Sequence, residues 1–369
     1  MKILFVTNKV RAYNLGFQNV LNPMLSLGHE VVWAANFTEL VGDRNAIPCK
    51  TIHIDINSYP FHSTNIKAYR QIKDIIKKEK IEALYTSTPI GSTLSRIAAW
   101  RCGIKKVVYA AHGFMFFNGA PLINRTVYKF PEVLLARVTD NLITINEEDF
   151  HSAQKLKLRS GSKPYMIHGA GVNVGVKVDV DINEKRRELG LRDSDIVVVS
   201  AGDLNPNKNN KVVIEAFSLI SNKDIHYLIC GSGMLESQLR NLVKSLGVEK
   251  NVHFLGFRTD MPQILATSDI LVMPSFREGV PRAILEAMDM GLPCVGSKTR
   301  GIADLIEDGR GGFICKPKDA KGFADSICRL AENPMQRKQF GEFNSKKAKG
   351  YSAEIVREEL TNIFKEVFV

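Results

Sequence analysis

Short apolar runs alternate with amphipathic stretches along the whole chain. In the first half, the runs that predict buried strands are residues 3–7, 31–35, 83–86, 106–110 and 141–145. Residues 17–27 and 66–80 instead carry apolar side chains at helical spacing, and the second of these predicted helices is strongly basic. Strands that alternate with helices imply a parallel sheet covered on both faces, so the pattern predicts an α/β fold.

The second half repeats this scheme. Its predicted strands are residues 196–201, 226–230, 252–255, 270–273, 293–296 and 312–315. The 369 residues suit two domains of about 150–200 residues each. Glycines make the chain pliable near residues 167–184. We therefore predict two doubly wound, Rossmann-like domains, residues 1–172 and 173–352, with a last helix at 353–369 that packs back on the first domain.

The composition narrows the class of protein. Hydrophobic residues make up 44 % and charged residues 24 % of the sequence, as in globular proteins. No apolar run approaches the roughly 18 residues of a membrane span, and the first residues lack the apolar region of a signal peptide. The six cysteines form no C-x-x-C pair, which argues against a zinc site or a disulfide framework. We expect a cytoplasmic protein with reduced thiols.

The net charge of +11 is unevenly distributed. Residues 1–180 hold 23 lysines and arginines against 13 aspartates and glutamates, whereas residues 181–369 hold 27 against 26. A basic first half suggests an anionic partner, which is a membrane surface, a phosphorylated acceptor or nucleic acid. The alternative is a basic surface that only keeps the protein in solution.

The stretch that is richest in candidate chemistry follows the predicted strand at 270–273. Glu278 and Glu286 stand eight positions apart in EGVPRAILEAM, with Gly279 and Pro281 at a predicted helix start. A helix start offers unpaired N–H groups and a positive dipole, and both favour a phosphate. Glu278 would then lie beside that phosphate. In the alternative interpretation Glu278 caps the helix and Glu286 is a surface charge.

This E-x7-E pattern closely resembles that of retaining glycosyltransferases of family 4, and the following GLPCVGSKTRGIADLIEDGRGGFIC (Gly291–Cys315) is also similar to that family. The resemblance extends over nearly the whole chain and is densest in residues 195–320. It implies the GT-B fold, in which two Rossmann-like domains face each other across a cleft. Residues 114–130 and 139–149 resemble a branch that builds bacterial exopolysaccharide, capsule and O-antigen on a polyprenyl-diphosphate carrier.

The resemblance implies roles for several residues of the second half. Gly202, Asp203 and Lys208 match a segment whose basic residues hold the donor diphosphate, and Lys208 is the expected phosphate contact. Asp203 stands where an arginine is usual, which removes one cation. Arg282 and Lys298 are candidate substitutes for that cation.

Three other matches lie after predicted strands. Gly231 and Gly233 form a G-x-G that either approaches the nucleotide or only makes a tight turn. Phe257 and Arg258 resemble the segment that frames the nucleobase, although Arg258 is also a candidate partner of Asp260. Gly279, Val280, Pro281 and Arg282 complete the set that we assign to donor binding.

In the first half, His112 and Gly16 are the candidate site residues. His112 follows the predicted strand at 106–110, where the family has a histidine near the sugar and the acceptor. Gly16 is what remains of a usual glycine pair in the loop next to the acceptor and the donor phosphate. Residues 168–173 resemble the segment that joins the two domains.

The run Phe114–Phe117 is unusually hydrophobic and precedes the basic residues Arg125 and Lys129. Together with the basic helix at 66–80, it is one candidate surface for an anionic membrane. The alternative is that these aromatic residues belong to the core.

The resemblance implies transfer of a sugar, with retention, from a nucleoside-diphosphate sugar to a hydroxyl of a polyprenyl-diphosphate-linked glycan. We expect the nucleoside of the donor to be uridine. Lys208, Glu278 and His112 would act at the reacting centre, and Glu286 would hold the ribose hydroxyls. We expect no cofactor and no metal, because the D-x-D of Asp193 and Asp195 precedes a strand. Carboxylates at the site argue against nucleic acid as its ligand. A nucleotide-sugar epimerase or hydrolase, or a basic protein without catalysis, remain alternatives.

Overall fold

The computed structural model of the protein describes residues 1–117, 119–120, 122–159 and 161–368, and the side chains of 123–125 lie outside this description. The chain divides into two compact units. The first comprises Met1–Gly171 and Ala353–Val369, and the second comprises Val172–Ser352. Each unit is built on its own parallel sheet.

The first unit contains, among the described residues, a seven-stranded sheet with the order β3-β2-β1-β4-β5-β6-β7. All of its paired neighbours are parallel. The strands are β1 (Lys2–Lys9), β2 (Glu30–Asn36), β3 (Lys50–His53), β4 (Ala83–Thr86), β5 (Lys106–Ala111), β6 (Asn141–Thr144) and β7 (Tyr165–Met166). The central strands are apolar and buried on both faces, as expected when helices cover a parallel sheet.

The helices that cover this sheet in the described residues are α1 (Leu15–Ser26), α2 (Thr64–Lys78), α3 (Pro89–Arg101), α4 (Leu122–Val127), α5 (Lys129–Ala136) and α6 (Glu147–Ala153). Helices α1 and α6 begin after Asn14 and Asn146, whose side chains accept hydrogen bonds from the first backbone N–H groups. The last helix of the chain, α15 (Ala353–Val367), also belongs to this unit and packs against α1.

The second unit contains, in the part that is described, a six-stranded parallel sheet with the order β10-β9-β8-β11-β12-β13. The strands are β8 (Ile196–Ala201), β9 (Ile225–Cys230), β10 (Val252–Gly256), β11 (Ile270–Met273), β12 (Cys294–Ser297) and β13 (Gly312–Cys315). The sheet order reverses direction between β8 and β11, and ligands of open α/β sheets bind at such a reversal, outside the carboxyl ends of the strands.

The described helices of the second unit are α7 (Ile182–Glu188), α8 (Asn210–Leu219), α9 (Glu236–Ser245), α10 (Met261–Ala266), α11 (Arg282–Asp289), α12 (Ile302–Leu305), α13 (Ala320–Glu332) and α14 (Pro334–Ala348). Two apolar clusters pack these helices on the sheet. One contains Val198, Phe217, Tyr227 and Phe323, and the other is built around Leu271 and the buried residues of α11. Both sheet faces are thus covered.

The membrane-facing interpretation of Phe114–Phe117 is wrong for two of its residues. Phe114 and Phe116 are buried, and their rings stack with centroids 4.7 Å apart. They pack into an apolar cluster with Tyr109 of β5 and Leu142 of β6. The alternative, a place in the core, holds because burial of these large rings against the sheet removes much apolar surface from water.

Helix α2 differs slightly from the basic helix predicted at 66–80. It buries Ala68, Ile72 and Ile76, whereas Ile66, which the spacing placed on the apolar face, is exposed. Over the residues that the structure describes, no helix has both the length and the apolar character to cross a membrane.

Candidate functional site

The predicted donor residues of the second unit lie at the carboxyl ends of its central strands. Gly202 follows β8, Gly231 follows β9 and Phe257 follows β10. Residues 274–281 join β11 to the start of α11. Because parallel strands end at the same edge of the sheet, residues that are up to about 80 positions apart in sequence meet there.

Lys208 and Glu278 form the centre of this arrangement. The ammonium Nζ of Lys208 lies 2.8 Å from the carboxylate Oε1 of Glu278, and the two side chains are 22 % and 15 % exposed. A charged hydrogen bond that is largely shielded from water is stronger than one on the surface. The pair thus places a cation and an anion side by side, both with some access to solvent.

Asparagine side chains join the two loops that carry this pair. Asn207 Nδ2 donates to the carbonyl of Arg277 at 2.9 Å, and the N–H of Phe276 donates to the carbonyl of Asn207 at 2.8 Å. Asn209 Nδ2 donates to the carbonyls of Pro274 and Pro317 at 3.0 and 2.6 Å. Asn209 also adopts the left-handed conformation (φ 52°), which asparagine tolerates better than most residues. These bonds fix the position of Lys208 relative to Glu278.

Glycines allow the loops of the site to approach each other closely. A Cβ at Gly202 (φ 151°) would lie 2.9 Å from Cε of Lys208, and a Cβ at Gly301 would lie 1.5 Å from the carbonyl oxygen of Gly279. A Cβ at Gly231 would lie 2.0 Å from the carbonyl oxygen of Gly202, and at Gly233 2.5 Å from that of Leu204. Packing between loops thus accounts for the G-x-G of Gly231 and Gly233. Helix α9 begins only at Glu236, later than the sequence predicted.

Helix α11 begins at Arg282, after Pro281 in an extended conformation (ψ 117°), and among the described residues no side chain caps its start. The N–H of Ile284 donates to the carbonyl of Pro281 at 3.1 Å, and the N–H groups of Arg282 and Ala283 before it remain suited to an anion. Glu286 lies one turn along the helix, with Oε1 3.1 Å from Nη2 of Arg282. Burial raises the pKa of Glu286, and Arg282 opposes this rise. Val280, just before Pro281, packs partly against the core.

Arg282 and Glu286 border a pocket of about 260 Å³ that Asn173, Met261 and Leu265 also line. Its walls combine apolar side chains with three charged groups of α11, those of Arg282, Glu286 and Asp289. A small organic ligand with polar groups on one side fits such a lining. Arg282 already pairs with Glu286 in this structure. This pairing counts against Arg282 as the cation that replaces the arginine expected at position 203. Lys298, the other candidate for that missing cation, is exposed, and so is Asp203 itself.

Arg258 contacts carboxylates of its own unit. Its guanidinium donates to both oxygens of Asp260, at 2.8 and 2.6 Å, and lies 3.3 Å from Glu188. With Lys185 also 2.7 Å from Asp260, these cations hold the pKa of the Asp260 carboxyl well below its usual range. The pairing with Asp260, the alternative from the sequence, is thus present. Phe257 beside it is exposed.

In the first unit, His112 directly follows β5, which ends at Ala111. Its side chain is accessible to solvent, yet the surrounding protein desolvates the ring and lowers the pKa of His112 below its usual value. This shift favours the neutral imidazole, which can accept a proton. The loop is held by Asp149, whose Oδ2 accepts from the N–H of Phe114 at 3.1 Å and from Asn146 Nδ2 at 2.8 Å.

Gly16 lies in the first turn of α1. Its N–H donates to Oδ1 of the capping Asn14 at 3.1 Å, and a Cβ at Gly16 would lie 3.3 Å from the same oxygen. The sequence did not single out Asn14 as a cap, nor Asn207, Asn209 and Gly301 as residues of the site. The run Asn205–Asn210, which contains four asparagines after a strand, is the signal that could have drawn attention to Asn207 and Asn209.

Comparison with known proteins gives the family. Residues 181–347 match the family described as glycosyl transferases group 1, and residues 2–146 match the family described as glycosyl transferase 4-like. A Bacillus subtilis protein with the name glycosyltransferase EpsD is 35 % identical over 98 % of this chain and 96 % of its own length. The chain belongs to the group 1 glycosyltransferases.

A second relative of this glycosyltransferase has a more detailed name. The UDP-Gal:alpha-D-GlcNAc-diphosphoundecaprenol alpha-1,3-galactosyltransferase of Escherichia coli is 32 % identical over 73 % of this chain and 72 % of its own length. Among solved structures, HepE of Anabaena in complex with UDP and glucose superimposes with a TM-score of 0.81 at 21 % identity, covering 99 % of this chain and all of HepE. This likeness shows that the glycosyltransferase has the GT-B fold.

Proposed function

We propose that this glycosyltransferase transfers a sugar, with retention of configuration, from a UDP-sugar to a hydroxyl of a polyprenyl-diphosphate-linked glycan during surface-polysaccharide synthesis. The observation that carries the donor half is the Lys208–Glu278 pair beside the start of α11. Crystals of HepE with UDP and glucose support a uridine nucleotide as donor. The name of the Escherichia coli galactosyltransferase supports a diphosphoundecaprenol acceptor.

In the proposed reaction, the acceptor oxygen forms a bond to the anomeric carbon while the bond from that carbon to the diphosphate oxygen breaks. The diphosphate keeps the electron pair, and the acceptor hydroxyl passes its proton to an oxygen of the departing diphosphate. Negative charge therefore grows on the diphosphate and positive charge on the sugar. Lys208 and the N–H groups at the start of α11 stabilise the negative charge on the diphosphate. Glu278 offsets the positive charge on the sugar and orients sugar hydroxyls. Glu286 holds the ribose hydroxyls, and His112 contacts the sugar or the reacting hydroxyl.

The same arrangement supports activity without a metal ion. Lys208 and a helix start can neutralise a diphosphate, which is the role that a divalent cation has in metal-dependent enzymes. We expect EDTA to leave the initial rate within about twofold of its value without chelator, because protein groups carry the charge stabilisation. Inhibition by EDTA that manganese or magnesium reverses would contradict this part of the proposal.

Because the proposed acceptor is linked to a lipid, we also propose that the protein acts at the inner face of the cell membrane. Helices α4 and α5 are the support for this, because their apolar side chains Leu122, Val127, Phe130, Val133 and Leu134 are exposed. Exposed basic residues, Lys129 and Arg137, lie on the same segment. A surface that combines apolar and basic side chains is suited to an anionic membrane interface.

The test is a transfer assay with the purified protein. UDP-, GDP- and dTDP-sugars are each incubated with a synthetic N-acetylglucosamine that is linked through diphosphate to a short isoprenoid, and the product is followed by mass spectrometry. We expect transfer from a UDP-sugar, and an α linkage from an α-linked donor by NMR. Release of free sugar without transfer would favour a hydrolase, and a β linkage would overturn retention.

A further inference from the structure

An apolar groove of the first unit lies next to His112 but takes no part in the donor site. It has a volume of about 310 Å³ and runs past Gly113 and Phe114, which follow β5, and past Ile90, Thr93 and Leu94 of α3. Phe61 and Val127 form part of its edge. The groove thus opens at the carboxyl ends of β4 and β5, where open α/β sheets bind their ligands.

The polar groups at the base of this groove are already engaged with each other. Arg96, only 1 % exposed, donates from Nη2 to Oε2 of Glu132 at 2.8 Å. Tyr109 donates its hydroxyl to Oε1 of the same carboxylate at 3.3 Å, and the Arg96 guanidinium lies 4.1 Å from the centre of the Tyr109 ring. A buried ion pair that is satisfied in this way offers little to a polar ligand. The groove is therefore suited to a hydrocarbon.

The edge of the groove is open to water and apolar. Phe61 is 96 % exposed, and Val127, also on the edge, is 48 % exposed. An apolar surface that extends from a groove to the outside of a protein marks a binding site for an apolar ligand or surface. Lys129, directly after the groove residue Tyr128, is exposed and supplies a positive charge beside the edge.

We propose that this groove binds the isoprenoid segment of the acceptor that lies next to its diphosphate. The inference rests on the proposed function, which requires a sugar joined through diphosphate to a long isoprenoid. Such a molecule has a hydrocarbon that must leave water and a double negative charge close to it. The apolar walls match the hydrocarbon. The negative charge is matched by the basic residues of this half of the chain, of which Lys129 directly follows the groove residue Tyr128.

The first experiment measures binding without any transfer. Farnesyl diphosphate, geranyl diphosphate and inorganic diphosphate are titrated into the full-length protein by calorimetry, with excess UDP present to occupy the donor site. We expect farnesyl diphosphate to bind most tightly and inorganic diphosphate most weakly. Each additional buried methylene-sized group strengthens binding several-fold, so the two extremes should differ by at least about a hundredfold.

Two variants test whether the isoprenoid lies in the groove, and a third, at an exposed phenylalanine outside the groove, is the control. Phe61→Ser removes an apolar edge, and Thr93→Trp fills the groove from a partly exposed position of α3. Both should weaken farnesyl diphosphate binding about tenfold or more. Phe130→Ser removes a similarly exposed phenylalanine that does not line the groove, and binding should stay within twofold. Circular dichroism shows whether each variant remains folded.

The results separate the groove from the reaction. Equal affinity for inorganic and farnesyl diphosphate, or equal losses in Phe61→Ser and Phe130→Ser, would overturn the groove assignment. Binding of palmitate but not of farnesyl diphosphate would overturn it as well. If farnesyl diphosphate binds in the groove but no sugar reaches any diphosphate-linked acceptor, the proposed function fails while the isoprenoid site stands.

Discussion

Lys208 and Glu278 neutralise each other across 2.8 Å in the protein without donor. In the reaction that we propose, a diphosphate beside this pair would draw the Lys208 ammonium toward the phosphate and free the Glu278 carboxylate for the sugar. In that proposal, the pair holds the cation and the anion that the reaction needs, and neither charge is left unpaired in a shielded place, where an unpaired charge is costly.

Glu278→Gln should keep the fold and lose most of the activity. Glutamine has nearly the same shape, but it lacks the negative charge that offsets the developing positive charge on the sugar. We expect kcat to fall by about two to three orders of magnitude, the scale for one preorganised electrostatic group. Steady-state kinetics checks this, with Glu249→Gln at an exposed position as the control. Turnover at the normal rate in Glu278→Gln would remove Glu278 from the reacting centre.

Lys208→Ala should weaken donor binding, because Asp203 leaves this loop one cation short. The double variant Lys208→Ala, Glu278→Gln should lose less than the two single losses combined, since residues in direct contact are not additive. Calorimetry with UDP measures the affinity, and Lys211→Ala, on an exposed residue three positions away, is the matched control. Unchanged affinity in Lys208→Ala would show that another residue holds the diphosphate.

The sequence contains part of this site and not the rest. The positions of Lys208 and Glu278 follow from their places after predicted strands, which the fold brings to one edge. The bonds from Asn207 to Arg277 and from Asn209 to Pro317 span 70 and 108 residues, and no local pattern predicts partners so far apart. Arg258 pairs with both Asp260 and Glu188. The sequence indicated Asp260, two positions away, but not Glu188, which is 70 positions away.

At the scale of elements, the segment after β5 shows where pattern reading was ambiguous. Phe114 and Phe116 are buried while Met115 between them is partly exposed, so burial alternates along an irregular loop. Four large apolar residues in a row have neither a helical nor a strand period, and hydrophobicity alone does not separate a core from a membrane surface. The regular elements were predicted more closely because their periodicity reports which face is buried. Helix α2, for example, begins within two residues of its predicted start.

Phe116→Ser should destabilise the first unit without any membrane present. The ring is 7 % exposed and stacks on Phe114, so its removal leaves a cavity and a buried hydroxyl. We expect a loss of about 2–4 kcal/mol in the free energy of unfolding, measured by urea denaturation. Phe130→Ser, at a ring that is 66 % exposed, should change stability by less than about 0.5 kcal/mol. Equal stability of the two variants would contradict the burial of Phe116.

Strands β9 and β10 carry a histidine pair that predicts a pH dependence of stability. Nδ1 of His226 lies 3.0 Å from Nε2 of His253, and Nε2 of His226 lies 3.4 Å from Asp195, which also pairs with Arg192. Desolvation lowers the pKa of both histidines, and for His253 the neighbouring His226 lowers it further. Since the unfolded chain then binds protons first, stability is full above a pH of about 6.5 and falls as the pH drops below it.

The corresponding experiment compares melting of wild type and His253→Gln at pH 7.5, 6.5 and 5.5. Removal of one histidine should make the loss of stability between pH 6.5 and 5.5 smaller. His151→Asn, at an exposed histidine of the first unit, should leave the loss unchanged. His168 acts in the opposite direction, because Glu359 raises its pKa and its contribution is lost as the pH rises. A loss of the same size in His253→Gln would rule out the pair as the cause.

At the scale of the whole molecule, the two sheets repeat one design, and the sequence predicted that design from strand and helix periodicity. The chain's last helix shows what such periodicity leaves open. Helix α15 packs against α1 in the first unit, although the 181 residues before it form the second unit. The first and last parts of the second unit meet where the N–H of Val172 donates to the carbonyl of Tyr351 at 3.1 Å, and α15 follows directly after them. The local pattern of α15 shows only that the helix is amphipathic, and its predicted place on the first domain does not follow from that pattern.

The excess of positive charge in residues 1–180 and the exposed apolar side chains of α4 and α5 together predict reversible binding to anionic vesicles. Each basic residue near such a surface contributes about 1 kcal/mol, and this contribution decays within a Debye length of about 10 Å at 0.1 M salt. A few of them with one or two inserted apolar side chains give attachment that salt reverses. Co-sedimentation with phosphatidylglycerol vesicles should therefore decrease as salt rises.

Variants of the exposed residues identify the surface that binds. Phe130→Ser combined with Leu134→Ser should reduce binding at low salt about tenfold or more, because two apolar side chains no longer enter the interface. Met234→Ser, at an exposed apolar residue of the second unit, is the control and should bind as wild type does. Of the basic residues near α5, Lys129 is exposed, whereas the side chain of Arg125 lies outside the described residues. Replacement of Lys129 by Gln should thus weaken the salt dependence more than it weakens binding at high salt. If the wild type does not sediment with anionic vesicles at low salt, the acceptor must reach the protein without a membrane contact of its own.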